Sequence, residues 1–168
     1  MTSFRIPDTT VLGEATRRLV VATHVGLAVG GRTVLVDRDV TDVAVDPRSG
    51  RLAALTGDGE VHVSDDGHDW RHIASIDEGR QRVVAWHGDE LLVGGAEARL
   101  WRVVHDGGVE RLTEFDRAPT HADWHTPWGG PPDVFSIASD GDAFVNVHVG
   151  GILRSSDLLA WAPTIDLE

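Results

Sequence analysis

VHVSDDGHDW (residues 61–70) alternates apolar and polar residues for four positions, turns through Asp65, Asp66 and Gly67, and ends on Trp70. Period-2 alternation is the pattern of a half-buried β-strand. Adjacent Asp and Gly are turn residues: Asp side chains bond nearby backbone N–H groups, and Gly accepts φ > 0. Three acids and His68 in the turn also raise a metal loop as a reading. A calcium loop of the helix–loop–helix kind needs oxygen ligands at alternating positions over about 12 residues and a closing Glu. Asp65, Asp66 and Asp69 lack that spacing, and no helical pattern flanks them.

The stretch recurs. GEVHVSDDGHDW (59–70) and GGILRSSDLLAW (150–161) align at a constant offset of 91, matching Gly59/Gly150, Val61/Ile152, Ser64/Ser155, Asp66/Asp157 and Trp70/Trp161. Half of that offset falls in the 40–50 residue period of a propeller blade. A further unit belongs between the copies, and 82–115 reads as four short strands with turns at His87–Asp89, Gly94–Glu97 and Asp106–Gly108. Its corner lacks the Ser-x-Asp-x-x-x-Trp pattern. Residues 17–37 read as three more strands, a unit without its first strand. The sequence therefore predicts an all-β fold: a β-propeller of four-stranded antiparallel blades, about three and a half of them. The blades fall at 17–40, 41–81, 82–132 and 133–168, behind an extension at 1–16. Propellers close with 4–8 blades, so the arc is expected to be completed by the remainder of a longer chain, by a second copy as a homodimer, or by recruiting its own first blade.

Ser64-x-Asp66-x-x-x-Trp70 and Ser155-x-Asp157-x-x-x-Trp161 resemble the Asp-box, or BNR repeat, of sialidase-like and photosystem-assembly-factor-like β-propellers. The resemblance covers about 17–165. It implies that Ser64, Asp66, Trp70, Ser155, Asp157 and Trp161 are structural: Ser and Asp tie the turn between third and fourth strands, and Trp packs between sheets. In the second copy Leu158 and Leu159 stand where Gly is common.

Strand direction alternates within such a blade, so these corners lie on the face opposite the interblade loops. Those loops are unequal. Strand-3 starts are spaced by 39 and then 52 residues, and the excess is the stretch 116–132, DRAPTHADWHTPWGGPP. Long loops in compact domains are commonly functional. On its face belong His24, Asp58, Glu97 and His148 from the turns between second and third strands, and Asp133 at the start of an inner strand. The candidate ligand-binding residues are Trp124 and Trp128 as stacking platforms, with His125, Asp133 and His148 as polar contacts. The competing reading is that the loop folds over its own blade and its tryptophans form a satellite core. His121 and His125 are four apart, but Pro119 and Pro127 bracket them and no helix places them on one face. No metal or other cofactor is expected.

Composition narrows the function. Fifteen basic and 27 acidic residues give a net charge of −12, which disfavours nucleic acid and anionic membrane surfaces as partners. There is no cysteine and no lysine, so thiol and Schiff-base chemistry are excluded. There is no tyrosine, and the sialidase mechanism needs a Tyr nucleophile. The first residues lack a signal-peptide pattern and no run suits a membrane helix, so a cytoplasmic location is expected. Two readings follow. One is a non-catalytic binding or scaffold module with a ligand or partner site on the face bearing 116–132, a small molecule or a carbohydrate being a candidate ligand. The alternative is a glycoside hydrolase-like propeller using Asp58 and Glu97 as a carboxylate pair.

Overall fold

The computed structural model describes residues 19–165. The extension expected at 1–16 and the last residues of the fourth blade lie outside them. Four antiparallel sheets follow one another along the chain. The first has three strands, β1 (Val20–Thr23), β2 (Gly26–Val29) and β3 (Arg32–Val34). The second is β4 (Val40–Val45), β5 (Leu52–Thr56), β6 (Glu60–Ser64) and β7 (Arg71–Ser75). The third is β8 (Gln81–His87), β9 (Glu90–Gly95), β10 (Leu100–Val103) and β11 (Val109–Arg111). The fourth is β12 (Val134–Asp140), β13 (Asp142–Val147), β14 (Gly151–Ser155) and β15 (Ala162–Pro163). Each sheet is a meander whose neighbours in sequence are neighbours in space. Among the described residues no sheet closes on itself, and together they form a partial β-propeller.

The blades pack face to face. β4 packs against β8, and β8 against β12, so the first strand of each complete blade lines the inside of the arc. β1 packs against β4 as β5 packs against β8 and β9 against β12, which makes β1 a second strand. Among the described residues the first blade therefore has no inner strand. Middle strands are covered on both faces: LAALT of β5 is buried throughout. Outermost strands such as β3 and β11 are mostly exposed.

Three apolar layers separate the four blades. Leu27, Val29, Val40 and Ala54 join the first two, with Trp70 against them. Leu55, Val61, Val93 and Trp101 join the second and third. Leu92, Leu100, Val134, Val145, Leu153 and Trp161 join the third and fourth. Burying such side chains stabilises by about 1.5–3 kcal/mol each. Polar contacts also join the blades: Asp42 Oδ2 accepts the Val84 N–H at 2.8 Å, and His87 Nδ1 lies 2.8 Å from Ser139 Oγ. Burial pushes the Asp42 carboxyl up, against the backbone hydrogen bonds that lower it.

The two matching corners have one geometry. Ser64 Oγ accepts the Gly67 N–H (2.8 Å), Asp66 Oδ1 accepts those of His68 (2.7 Å) and Asp69 (3.0 Å), and Trp70 Nε1 donates to Gly67 O (3.2 Å). Ser155 Oγ accepts the Leu158 N–H (2.9 Å), Asp157 Oδ1 accepts those of Leu159 (2.9 Å) and Ala160 (3.0 Å), and Trp161 Nε1 donates to Leu158 O (3.2 Å). Backbone N–H bonds hold both Asp carboxyls below the usual range, from Asp69 then His68 in one and Ala160 then Leu159 in the other. Gly67 sits at φ +82° and Leu158 at φ +63°. A left-handed Leu is unusual. Here its side chain is buried in the same layer as Trp161, and that burial offsets the backbone cost.

Candidate functional site

The segment 116–132 follows β11 and crosses to the start of β12. Two short 3-10 turns, Phe115–Arg117 and His121–Asp123, fold its first half inward. Phe115 is fully buried between Trp161 (ring centroids 5.0 Å apart, edge to face) and Trp124 (5.6 Å). Trp124 is only 8% exposed, stacks on His121 at 4.7 Å, and donates its Nε1–H to Thr120 Oγ1 at 3.2 Å. The expected pair of tryptophan platforms does not form, because Trp124 belongs to the core between the third and fourth blades. His125 is exposed, and its Nδ1 lies 2.8 Å from the Asp123 carbonyl, so that nitrogen carries a proton and donates.

The second half turns outward. Thr126 is buried, and its hydroxyl donates to Gly129 O at 2.9 Å while its N–H donates to Gly130 O at 3.1 Å. Gly129 and Gly130 take φ of +83° and +102° with open space where a Cβ would stand. This knot projects Trp128, which is 74% exposed. Its ring lies 5.9 Å from the exposed ring of His148, in the turn between β13 and β14. Phe135, 65% exposed, also lies 6.1 Å from the His148 ring. Trp128, His148 and Phe135 thus form a continuous aromatic surface on the loop-bearing face at the open end of the arc. Val149 beside them holds φ +59°, an outlier for a β-branched residue. Such strain clusters at ligand sites.

Phe135 was not among the residues the sequence singled out. It occupies a β-bulge, the register of β12 on β13 shifting between Val134 and Ser136. The same shift occurs between Val40 and Asp42 and between Gln81 and Val83. Each complete blade therefore bulges near the start of its inner strand, at Thr41, Arg82 and Phe135. Bulges re-aim side chains and are over-represented beside functional sites. The signal in the sequence was the adjacent apolar pair Val134–Phe135, which breaks the period of two.

The Asp133 carboxylate pairs with Arg82 of the neighbouring blade at 2.6 Å, and its carbonyl accepts the His148 N–H at 2.9 Å. His24 lies in the turn between β1 and β2, far along the arc, and its Nδ1 is 2.7 Å from Asp39 Oδ1. Asp58 and Glu97 sit in equivalent turns of the second and third blades, each beside an arginine. Asp58 Oδ2 is 3.5 Å from Arg38, and Glu97 pairs with Arg99. A hydrogen bond from Thr56 chiefly holds the Asp58 carboxyl below its usual range. It stays ionised at neutral pH, the reverse of what a general acid needs.

No family model and no curated protein matches the chain. Solved structures do. The WD40 β-propeller domain of Doa1 is 19% identical, the match covers 74% of this chain and 39% of that one, and the TM-score is 0.53. YCF48 bound to D1 peptide is 14% identical, with 85% and 48% covered and a TM-score of 0.60. At these identities the likeness is one of fold, and the chain spans less than half the length of either propeller. The molecule is a partial β-propeller whose most exposed aromatic surface lies on the loop-bearing face.

Proposed function

We propose that the chain is an Asp-box propeller of the assembly-factor-like kind and a non-catalytic binding module. Its loop-bearing face grips a polypeptide partner through Trp128, His148 and Phe135. The observation that carries this is Trp128: a tryptophan held three-quarters exposed by its own hydrogen-bonded turn, with the His148 ring beside it and Phe135 next to His148. An exposed indole costs solvation, and exposed aromatic groups of this kind are where interfaces concentrate their energy. YCF48, similar in fold, is bound to D1 peptide, which supports a peptide as the kind of partner.

The test is selection of a random peptide library on the wild-type protein, followed by affinity measurement on Trp128→Ala. Selected peptides are expected to lose about tenfold or more in affinity. A set of binders that treats both proteins alike refutes the assignment. Binding on a glycan array that Trp128→Ala abolishes, with no selectable peptide, transfers the site to carbohydrate.

A further inference from the structure

Among the described residues no strand lies on the inner side of β1, and that side is a second place shaped for a ligand. Gly30 N–H bonds Leu19 O, so the pairs 21–28 and 23–26 likewise exchange bonds between β1 and β2. Val20 and Ala22 then direct their N–H and C=O groups to the other side of β1. On that side β1 is an edge, with no strand of the described residues beside it. An edge of this kind is a template for another strand.

The space beside it is a groove of about 550 Å³. Ala22, Thr23 and His24 form one wall, and residues at the starts of β4 and β8 form the rest, Arg80 and Arg82 among them. Arg82 is occupied by Asp133, and Asp39 in the groove is occupied by His24. Arg80 has no ion pair among the described residues. In a chain of net charge −12 this groove has a spare positive charge and a row of unpaired backbone groups.

We infer that the groove binds an extended peptide segment in the place of an inner strand, with an acidic side chain on Arg80. Direction follows from the other blades. Each inner strand runs antiparallel to its second strand, so the peptide runs antiparallel to β1. β1 ends at the His24 turn, on the face where β8 begins. The peptide's N-terminal end therefore lies beside Arg80, and its acidic residue comes first. Four or five residues cover β1 at about 3.3 Å each. Backbone pairing supplies the affinity, as in strand addition to other open sheets.

The site is separate from the Trp128 surface, and the test keeps the two apart. The probe is the acetylated peptide Glu-Val-Thr-Val-Thr with a fluorophore at its C-terminus, titrated against the whole protein and read by anisotropy. N-methylating the two probe amides that face β1 is expected to weaken binding about tenfold or more. Changing the probe's Glu to Gln, or Arg80→Ala in the protein, is expected to cost about threefold. Trp128→Ala leaves the affinity unchanged. Hydrogen exchange at the Val20 and Ala22 amides is fast in the free protein and slows with probe. The inference is overturned if the probe does not bind, or if the N-methylated probe binds equally well. It is also overturned if Val20 and Ala22 are already protected without probe, which means that the chain or a second copy fills the groove itself.

Discussion

Trp124 and Trp128 lie four residues apart in one loop, and they end in opposite places. Trp124 is buried against Phe115 and His121, its indole N–H satisfied by Thr120. Trp128 stands in solvent on a turn tied by Thr126. The turn 148–150 joins the two: the Trp128 ring meets His148, and Trp124 packs on Gly150. Composition does not separate them. What separates them is local backbone chemistry, two 3-10 turns folding one half inward and a Gly-Gly turn lifting the other. The same loop is thus a structural wedge along its first half and a presented surface along its second.

The wedge breaks hardest at its centre. Trp124→Ala leaves a large cavity between the third and fourth blades and is expected to cost about 3–5 kcal/mol of stability, read from urea unfolding. A loss under 1 kcal/mol means that Trp124 is peripheral to the core. Gly150→Ala attacks the same wedge from the turn. An added Cβ stands 2.7 Å from Val147 Cγ1 and 3.0 Å from Trp124 Cγ. Overpacking of this kind costs about 1–3 kcal/mol, and the Trp124 emission is expected to shift with it.

Trp128→Ala is the reverse experiment. Its ring rests on exposed neighbours, so unfolding free energy is expected to change by less than about 0.5 kcal/mol. Binding of a selected peptide is expected to fall about tenfold. A stability loss as large as that of Trp124→Ala would erase the contrast between the two halves.

Much of the fold was legible because it repeats. Ser64 and Ser155, Asp66 and Asp157, Trp70 and Trp161 marked equivalent corners, and the spacing between them counted blades. Glycines bracketing alternating runs placed the strands. The site was less legible. Trp128 and His148 were readable as one face because strand direction alternates within a blade. Trp124 was not assignable, since a tryptophan in a loop carries no period to say which way it points. Phe135 was missed because a bulge shifts one side chain out of register by backbone geometry, and hydrophobic alternation registers that only as a broken pattern. The bulges at Thr41 and Arg82 leave no apolar trace at all.

The smallest effect has the opposite sign and tests whether the joining turn is strained for a reason. Val149 holds φ +59° with a β-branched side chain that is half exposed. A left-handed conformation costs an L residue about 1–2 kcal/mol, and Asn tolerates it best among residues with a side chain. Val149→Asn is therefore expected to stabilise the protein by about 0.5–1 kcal/mol in urea unfolding, with Trp124 unmoved. If the strain serves only the fold, peptide affinity at Trp128 is unchanged. If Val149 shapes the ledge that sets His148 against Trp128, the stabilised variant binds more weakly. A variant that gains stability and loses affinity together places Val149 on the presented half of the loop's contrast, although it sits between the two.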